Sequence, residues 1–140
     1  MDYRKLYLSL LLVMISFFLH AQHMLSVKVN GVESNTGKIC FAIYNNKSSF
    51  LKLKEAYISG MEKAVKGSTD FEIRDLPKGE YAIAIFHDIN DNSKLDTNML
   101  GVPKETVAFS KGKMKLFGPP DYQDCSFAID SDSKIEITLN

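Results

Sequence analysis

The amino-acid sequence predicts an all-β domain: a two-sheet sandwich of about seven strands with one short helix or irregular insertion. Three observations predict it. Apolar and polar residues alternate with period two over several short runs, Gly, Pro and Asn separate those runs, and only Lys47–Lys66 lacks the strand pattern after the first 21 residues. A length of 140 residues suits one domain around one core.

The runs follow in order. Leu25-Ser26-Val27-Lys28-Val29-Asn30 alternates strictly and stops at Gly31. Ile39, Phe41 and Ile43 alternate within Lys38–Tyr44 and stop at Asn45-Asn46. Phe71-Glu72-Ile73-Arg74 is closed by Asp75-Leu76-Pro77-Lys78-Gly79. Tyr81–Phe86 is apolar on both faces, as a central strand would be. Thr106–Phe109, Cys125–Ile129 and Ile135–Leu139 complete the set.

Two strands carry small apolar residues on their second face: Cys40 and Ala42 on one, Ala82 and Ala84 on the other. Such a face expects a close cover. Lys47–Lys66 is the first choice, because Phe50, Leu53 and Tyr57 have helical spacing and Ser48 or Ser49 could cap a helix. A buried ligand or a partner subunit would serve the same purpose. Parity also bears on the cysteines. Cys40 points away from the Ile39 face, whereas Cys125 points with Phe127 and Ile129, so two separate thiols are expected rather than a disulfide.

The N-terminus predicts export. Arg4 and Lys5 precede the apolar run Leu6–Leu19, and Ala21 stands at a plausible cut, so residues 1–21 read as a signal peptide and 22–140 as the single domain. The apolar run is shorter than the ~20 residues of a spanning helix, so no membrane span is expected once the signal is removed. The location implied is periplasmic or secreted. With 17 basic and 17 acidic residues the charge is balanced, which removes the electrostatic case for nucleic acid. Two cysteines are too few for a disulfide scaffold or a four-thiolate zinc site.

The stretch richest in chemistry runs from His87 to Gly101. Counted from Asp88, oxygen-bearing Asp88, Asn90, Asn92 and Asp96 fall at the first, third, fifth and ninth positions, with the Lys94 carbonyl at the seventh, as in a calcium loop. Ser93 stands where such loops carry a turn glycine, and Met99 where they carry a bidentate Glu. Glu105, Asp91 or Asp121 could supply the missing ligand. The competing reading is a loop whose Asp and Asn side chains bond their own backbone without metal. His87 reads as a packed strand-end residue, since no second histidine stands near it for zinc or catalysis. No nucleophile elbow or phosphate-cradling glycine loop is present. Gly118-Pro119-Pro120 reads as a stiff turn that could shape a surface groove.

Leu76-Pro77-Lys78-Gly79-Glu80-Tyr81, Phe86-His87-Asp88, Asp88–Asn98, Gly101-Val102-Pro103-Lys104-Glu105, Phe109-Ser110 and Phe117-Gly118-Pro119-Pro120 together resemble the bacterial family called domain of unknown function 2141. The resemblance covers essentially the whole chain after residue 21 and implies a small exported bacterial protein. Ile89–Ser93 departs from the family's more usual acidic residue and glycines, which stiffens the loop. The Leu-Pro-x-Gly-x-Tyr piece also resembles prealbumin-like sandwich modules, implying a prealbumin-like or immunoglobulin-like sandwich and no particular activity. Three functional readings follow. The first is a non-enzymatic exported domain that binds a small ligand or an envelope partner, with calcium as its one cofactor. The alternative is a hydrolase-like enzyme with acid–base chemistry around His87, Asp88 and Glu105. A subunit of a larger envelope assembly, marked by an exposed apolar patch or a free strand edge, is the third.

Overall fold

The computed structural model describes Arg4 and residues 22–140. The expected signal peptide therefore lies, Arg4 apart, outside the described residues. Among the described residues there are eight strands: β1 (Gln22–Val32), β2 (Lys38–Tyr44), β3 (Ile58–Lys63), β4 (Gly67–Pro77), β5 (Gly79–Asp88), β6 (Val107–Phe109), β7 (Phe127–Ile129) and β8 (Ser133–Thr138). One helical turn, α1, spans Tyr122–Cys125. Among the described residues no helix is long and apolar enough to cross a membrane.

The strands form two sheets, as the alternation predicts. One has the order β4-β1-β8, with β1 antiparallel to β4 and parallel to β8. The other has the order β3-β2-β5-β6, and β7 pairs with the start of β5. Period-two patterning puts Leu25, Val27 and Val29 of β1 on the face that meets Ile39 and Ile43 of β2 and Ile83 and Ile85 of β5; all are essentially fully buried. Among the described residues the inter-sheet cluster runs from Leu25 to Leu139, so every member of it lies within the mature chain, 22–140, expected after signal removal.

The passage between the sheets is tight. Asp75 adopts φ 61°, Leu76 is fully buried, and the Tyr81 hydroxyl donates to the Pro77 carbonyl at 2.8 Å. This fixes the corner at which β4 of one sheet becomes β5 of the other. A second close approach lies at Gly37, whose φ is +76° and whose backbone is pressed against Asp88 and Ile89 so closely that a Cβ would fall on the Asp88 carbonyl. Only glycine fits there.

Two expectations need correction. Lys47–Lys66 contains no α-helix: a 3-10 turn at Leu53–Glu55 leads into β3, the eighth strand. Asn46 Oδ1 accepts from Ser49 N at 3.0 Å and opens a turn there, but Leu51 at φ 63° leaves the right-handed region and stops propagation. Cys125 does not begin a strand. It closes α1, whose Asp121–Asp124 capping box starts the turn, and it packs with Ala42, Tyr44, Ala82 and Tyr122 outside the inter-sheet core. Both cysteines are buried free thiols, so the expected pairing state holds although the parity argument for Cys125 does not.

Candidate functional site

The second face of the β3-β2-β5-β6 sheet is shaped by side-chain size. Register places Ser59, Ala42, Ala84 and Phe109 in one row across the four strands, and Met61, Cys40, Phe86 and Val107 in the next. Three small residues side by side lower the floor of the sheet between larger neighbours. At the Tyr44 end the face is covered. Phe50 meets Tyr44 edge-on at 5.4 Å and Tyr122 at 5.7 Å, and the Tyr122 hydroxyl donates to the Glu80 carbonyl. Phe50 thus supplies part of the cover expected of Lys47–Lys66. Leu53 is half exposed, and Tyr57 packs instead near Tyr81, with ring centroids 5.9 Å apart.

Beyond that cover the face is open. A groove of about 780 Å³ runs over the floor, walled by Leu51 and Leu53, by Ser93 and Leu95, and by the Leu100–Pro103 and Met114–Pro119 segments. Its size is that of small-molecule sites, and its lining is overwhelmingly apolar. Gly118 and Pro119 line this groove, where bare stiffening of the loop was the first expectation for the Gly-Pro-Pro turn. Lys115, at the same rim, is tied to Asp121 and Asp124 at 2.9 and 2.8 Å, contacts that push its ammonium pKa up.

The Asp88–Asp96 loop forms one wall. Asp88 is fully buried; Oδ1 accepts from Asn92 N at 3.1 Å and Oδ2 from Ser93 N at 2.7 Å. Asn90 and Asn92 donate their amides to the two Asp96 oxygens at 2.7 and 3.1 Å, while their own Oδ1 atoms accept from Asn92 N and Lys94 N. Asp88, Asn90, Asn92 and Asp96 thus belong to one hydrogen-bonded loop, and Ser93 occupies the glycine position with φ 60°. Of the candidate extra ligands, Glu105 reaches the loop but spends both oxygens on Ile89 N and Asp96 N. Asp91 pairs with Lys38 at 2.7 Å, and Asp121 serves α1 and Lys115. Among the described residues no three His, Cys, Asp or Glu side chains gather as a metal cluster. Calcium would therefore have to use the Asn oxygens and the Lys94 carbonyl alongside Asp88 and Asp96.

His87, Asp88 and Glu105 do not converge as an acid–base set. His87 and Asp88 are consecutive on β5 and point to opposite faces. The buried His87 ring bonds the Thr36 carbonyl through Nε2, which carries the proton there, and Nδ1 has no partner. Cys40 borders the groove floor with its Sγ 4.0 Å from Asp88 Oδ2; burial, then the charges of Asp88 and Glu105, push its thiol pKa up to about 11. That thiol stays protonated at neutral pH.

The family model described as "Uncharacterized protein conserved in bacteria (DUF2141)" matches residues 27–138, from β1 to the end of β8. The chain belongs to this family. No curated protein and no solved structure matches it, so the prealbumin-like resemblance gains no support and the sandwich rests on its two sheets. In this DUF2141 chain the motif residues Gly101, Pro103, Phe109, Phe117, Gly118 and Pro119 all line the groove. Ser110 bonds Ile83 N through its Oγ and donates to the Cys125 carbonyl, fixing the end of β6 beneath α1. Alternation could not reveal the groove's other lining residues, Leu51, Leu95, Leu100 and Met114. The available signal was large apolar side chains inside segments otherwise rich in Asn, Gly, Lys and Pro.

Proposed function

We propose that this is an exported, non-enzymatic binding domain that holds one small apolar molecule in the groove over β3, β2, β5 and β6. The observation that carries the reading is the groove itself: about 780 Å³, with a floor of Ala42, Ala84 and Cys40 and apolar rims. An occupant would be a largely hydrocarbon molecule, because the wall offers few polar groups and Lys115 is engaged by its own carboxylates. Export is supported by the Arg4–Ala21 sequence pattern.

The Asp88–Asp96 loop enters the same reading as a calcium-stabilised wall, with Asp88, Asn90, Asn92, Asp96 and the Lys94 carbonyl as ligands. Support comes from the calcium-loop spacing; an ion would take oxygens of Asp88, Asn90, Asn92 and Asp96 that accept backbone N–H and side-chain amide groups in the structure. Ser93 and Leu95 of this loop line the groove.

The test is a fluorescence titration of residues 22–140 with N-phenyl-1-naphthylamine, which brightens in apolar surroundings. Saturable binding at one probe per chain is expected. Ala84→Phe and Ser59→Trp, which fill the floor from two different strands, should each weaken it roughly ten-fold while the chain still folds. Absence of saturable binding, or equal binding by both folded variants, would overturn the proposal.

A further inference from the structure

Two tight turns at the groove display apolar side chains to water. In the first, Thr97 bridges Pro103, Asn98 N donates to the Val102 carbonyl, and Asn98 Oδ1 accepts from Leu100 N and Val102 N. At its tip Met99 and Leu100 are 103% and 87% exposed. In the second, Lys115 and Gly118 exchange both backbone hydrogen bonds, and Leu116 and Phe117 between them are 89% and 95% exposed. Central turn positions are normally Gly, Asn, Asp, Pro or Ser, for conformational reasons and because they face solvent. Here the backbone is tied so that four large apolar side chains stand clear of the fold.

Charge identifies what such tips would enter. From Lys94 to Lys115 the chain has five lysines, Lys94, Lys104, Lys111, Lys113 and Lys115, against Asp96 and Glu105. Both acids are turned into the loop, Asp96 toward two Asn amides and Glu105 toward two backbone N–H groups. Lys115 pairs with both Asp121 and Asp124, two carboxylates against one ammonium, so it adds nothing to the positive charge of this side. Among the described residues Lys94, Lys104, Lys111 and Lys113 have no carboxylate partner, and all four are exposed. Leu100, Leu116 and Phe117 border one groove, so the two tips belong to one side of the molecule.

We propose that this side docks on an anionic lipid bilayer: Met99, Leu100, Leu116 and Phe117 enter the interface, and Lys94, Lys104, Lys111 and Lys113 lie against the acidic headgroups. Apolar wedges with a basic collar are what interfacial binding requires, hydrocarbon burial supplying one part and headgroup attraction the other. The inference rests on the tips and lysines and does not need the groove to be occupied. Under the ligand reading, it also turns the groove mouth toward a source of apolar molecules.

The chain has no tryptophan, so Phe117→Trp gives a single reporter. Residues 22–140 with this substitution are mixed with phosphatidylcholine vesicles, with and without about 30% phosphatidylglycerol. A blue shift of the indole emission and co-sedimentation are expected with the anionic vesicles, and both should fade as salt rises from about 0.1 to 0.5 M. In the unlabelled chain, Met99→Ser with Leu100→Ser, or Leu116→Ser with Phe117→Ser, should reduce the bound fraction roughly ten-fold at an unchanged melting temperature. Lys111→Glu with Lys113→Glu should remove the preference for anionic vesicles. Emission unmoved by vesicles, or binding indifferent to all three double variants, would overturn the proposal. Lipid-free dimerisation abolished by the serine variants, with no vesicle binding, would overturn it in favour of a second copy as occupant. Loss of the naphthylamine site with vesicle binding intact would count against the ligand proposal alone.

Discussion

Replacing Asp88 with alanine tests the groove wall at its most buried charge. The carboxylate accepts Asn92 N at 3.1 Å and Ser93 N at 2.7 Å, and no water reaches it. Hydrogen bonds to a charged group are worth about 1.5–3 kcal/mol each. Asn92 and Ser93 lie at the surface, so in the variant their N–H groups can turn to water and recover part of that loss. A net cost of about 2–4 kcal/mol in chelator follows. At about 3–4 °C per kcal/mol for a domain of this size, the melting temperature should fall by roughly 6–16 °C. Asp88→Asn keeps one acceptor oxygen and should cost about half as much. Urea unfolding of residues 22–140 and of both variants, in chelator and in millimolar calcium, measures both contributions. A loss below about 0.5 kcal/mol in chelator would refute the claim that this carboxylate holds the loop. For the calcium proposal the difference between conditions decides. Calcium should stabilise the unaltered chain and not Asp88→Ala, so the loss must be larger in calcium; identical losses would refute ion binding at Asp88.

Two more predictions concern the sheet that carries the site. Gly37→Ala should cost more than about 3 kcal/mol in urea unfolding, since φ +76° is strained for alanine and its Cβ would meet the Asp88 carbonyl; a loss under 1 kcal/mol would mean that the β2 entrance can shift. For Cys40, the thiol pKa raised to about 11 leaves about one thiolate in a thousand at pH 8. In a Cys125→Ser background, iodoacetamide should therefore modify it roughly a hundred-fold more slowly than a free thiol. The rate should climb about ten-fold per pH unit up to pH 10, where an ordinary thiol has levelled off. A plateau near pH 9 would show that burial and the Asp88 charge do not act on this sulfur.

What was legible in the sequence follows from where each strand sits. β1, β2, β4 and β5 each bury one face in the shared core, so Leu25, Val27 and Val29, or Ile39 and Ile43, print their period directly. β3 prints nothing. It is an edge strand whose Ser59 and Met61 face the groove and whose Gly60 lies beneath the Phe41 ring, leaving Ile58 as its one partly buried core contact. Cys125 misled because a single helical turn can precede a three-residue strand without disturbing the apparent alternation with Phe127 and Ile129. The oxygen-rich loop was visible from Asp88 to Asp96, since its contacts are local. The groove was not, because its walls come from segments near residues 51, 93, 101 and 116, which alternation in any one segment cannot bring together.

The loop and the groove share atoms, and this gives the two proposals a common consequence. Asp88 Oδ2 holds Ser93 N, the Ser93 hydroxyl lies 3.6 Å from the Met61 sulfur, and Ser93, Leu95 and Met61 all line the groove. An ion that orders Asp88–Asp96 would order that wall before a ligand arrives, so the ligand would lose less conformational freedom on binding. Linkage makes the effect reciprocal: if calcium tightens the naphthylamine probe by some factor, the probe must tighten calcium by the same factor. Titrating the probe at several calcium concentrations, and calcium at several probe concentrations, gives that factor twice. Agreement at a value above one would establish the loop as a working part of the site. A value of one in both directions would separate them, leaving the loop to stability alone and the groove to whatever its apolar walls can hold without it.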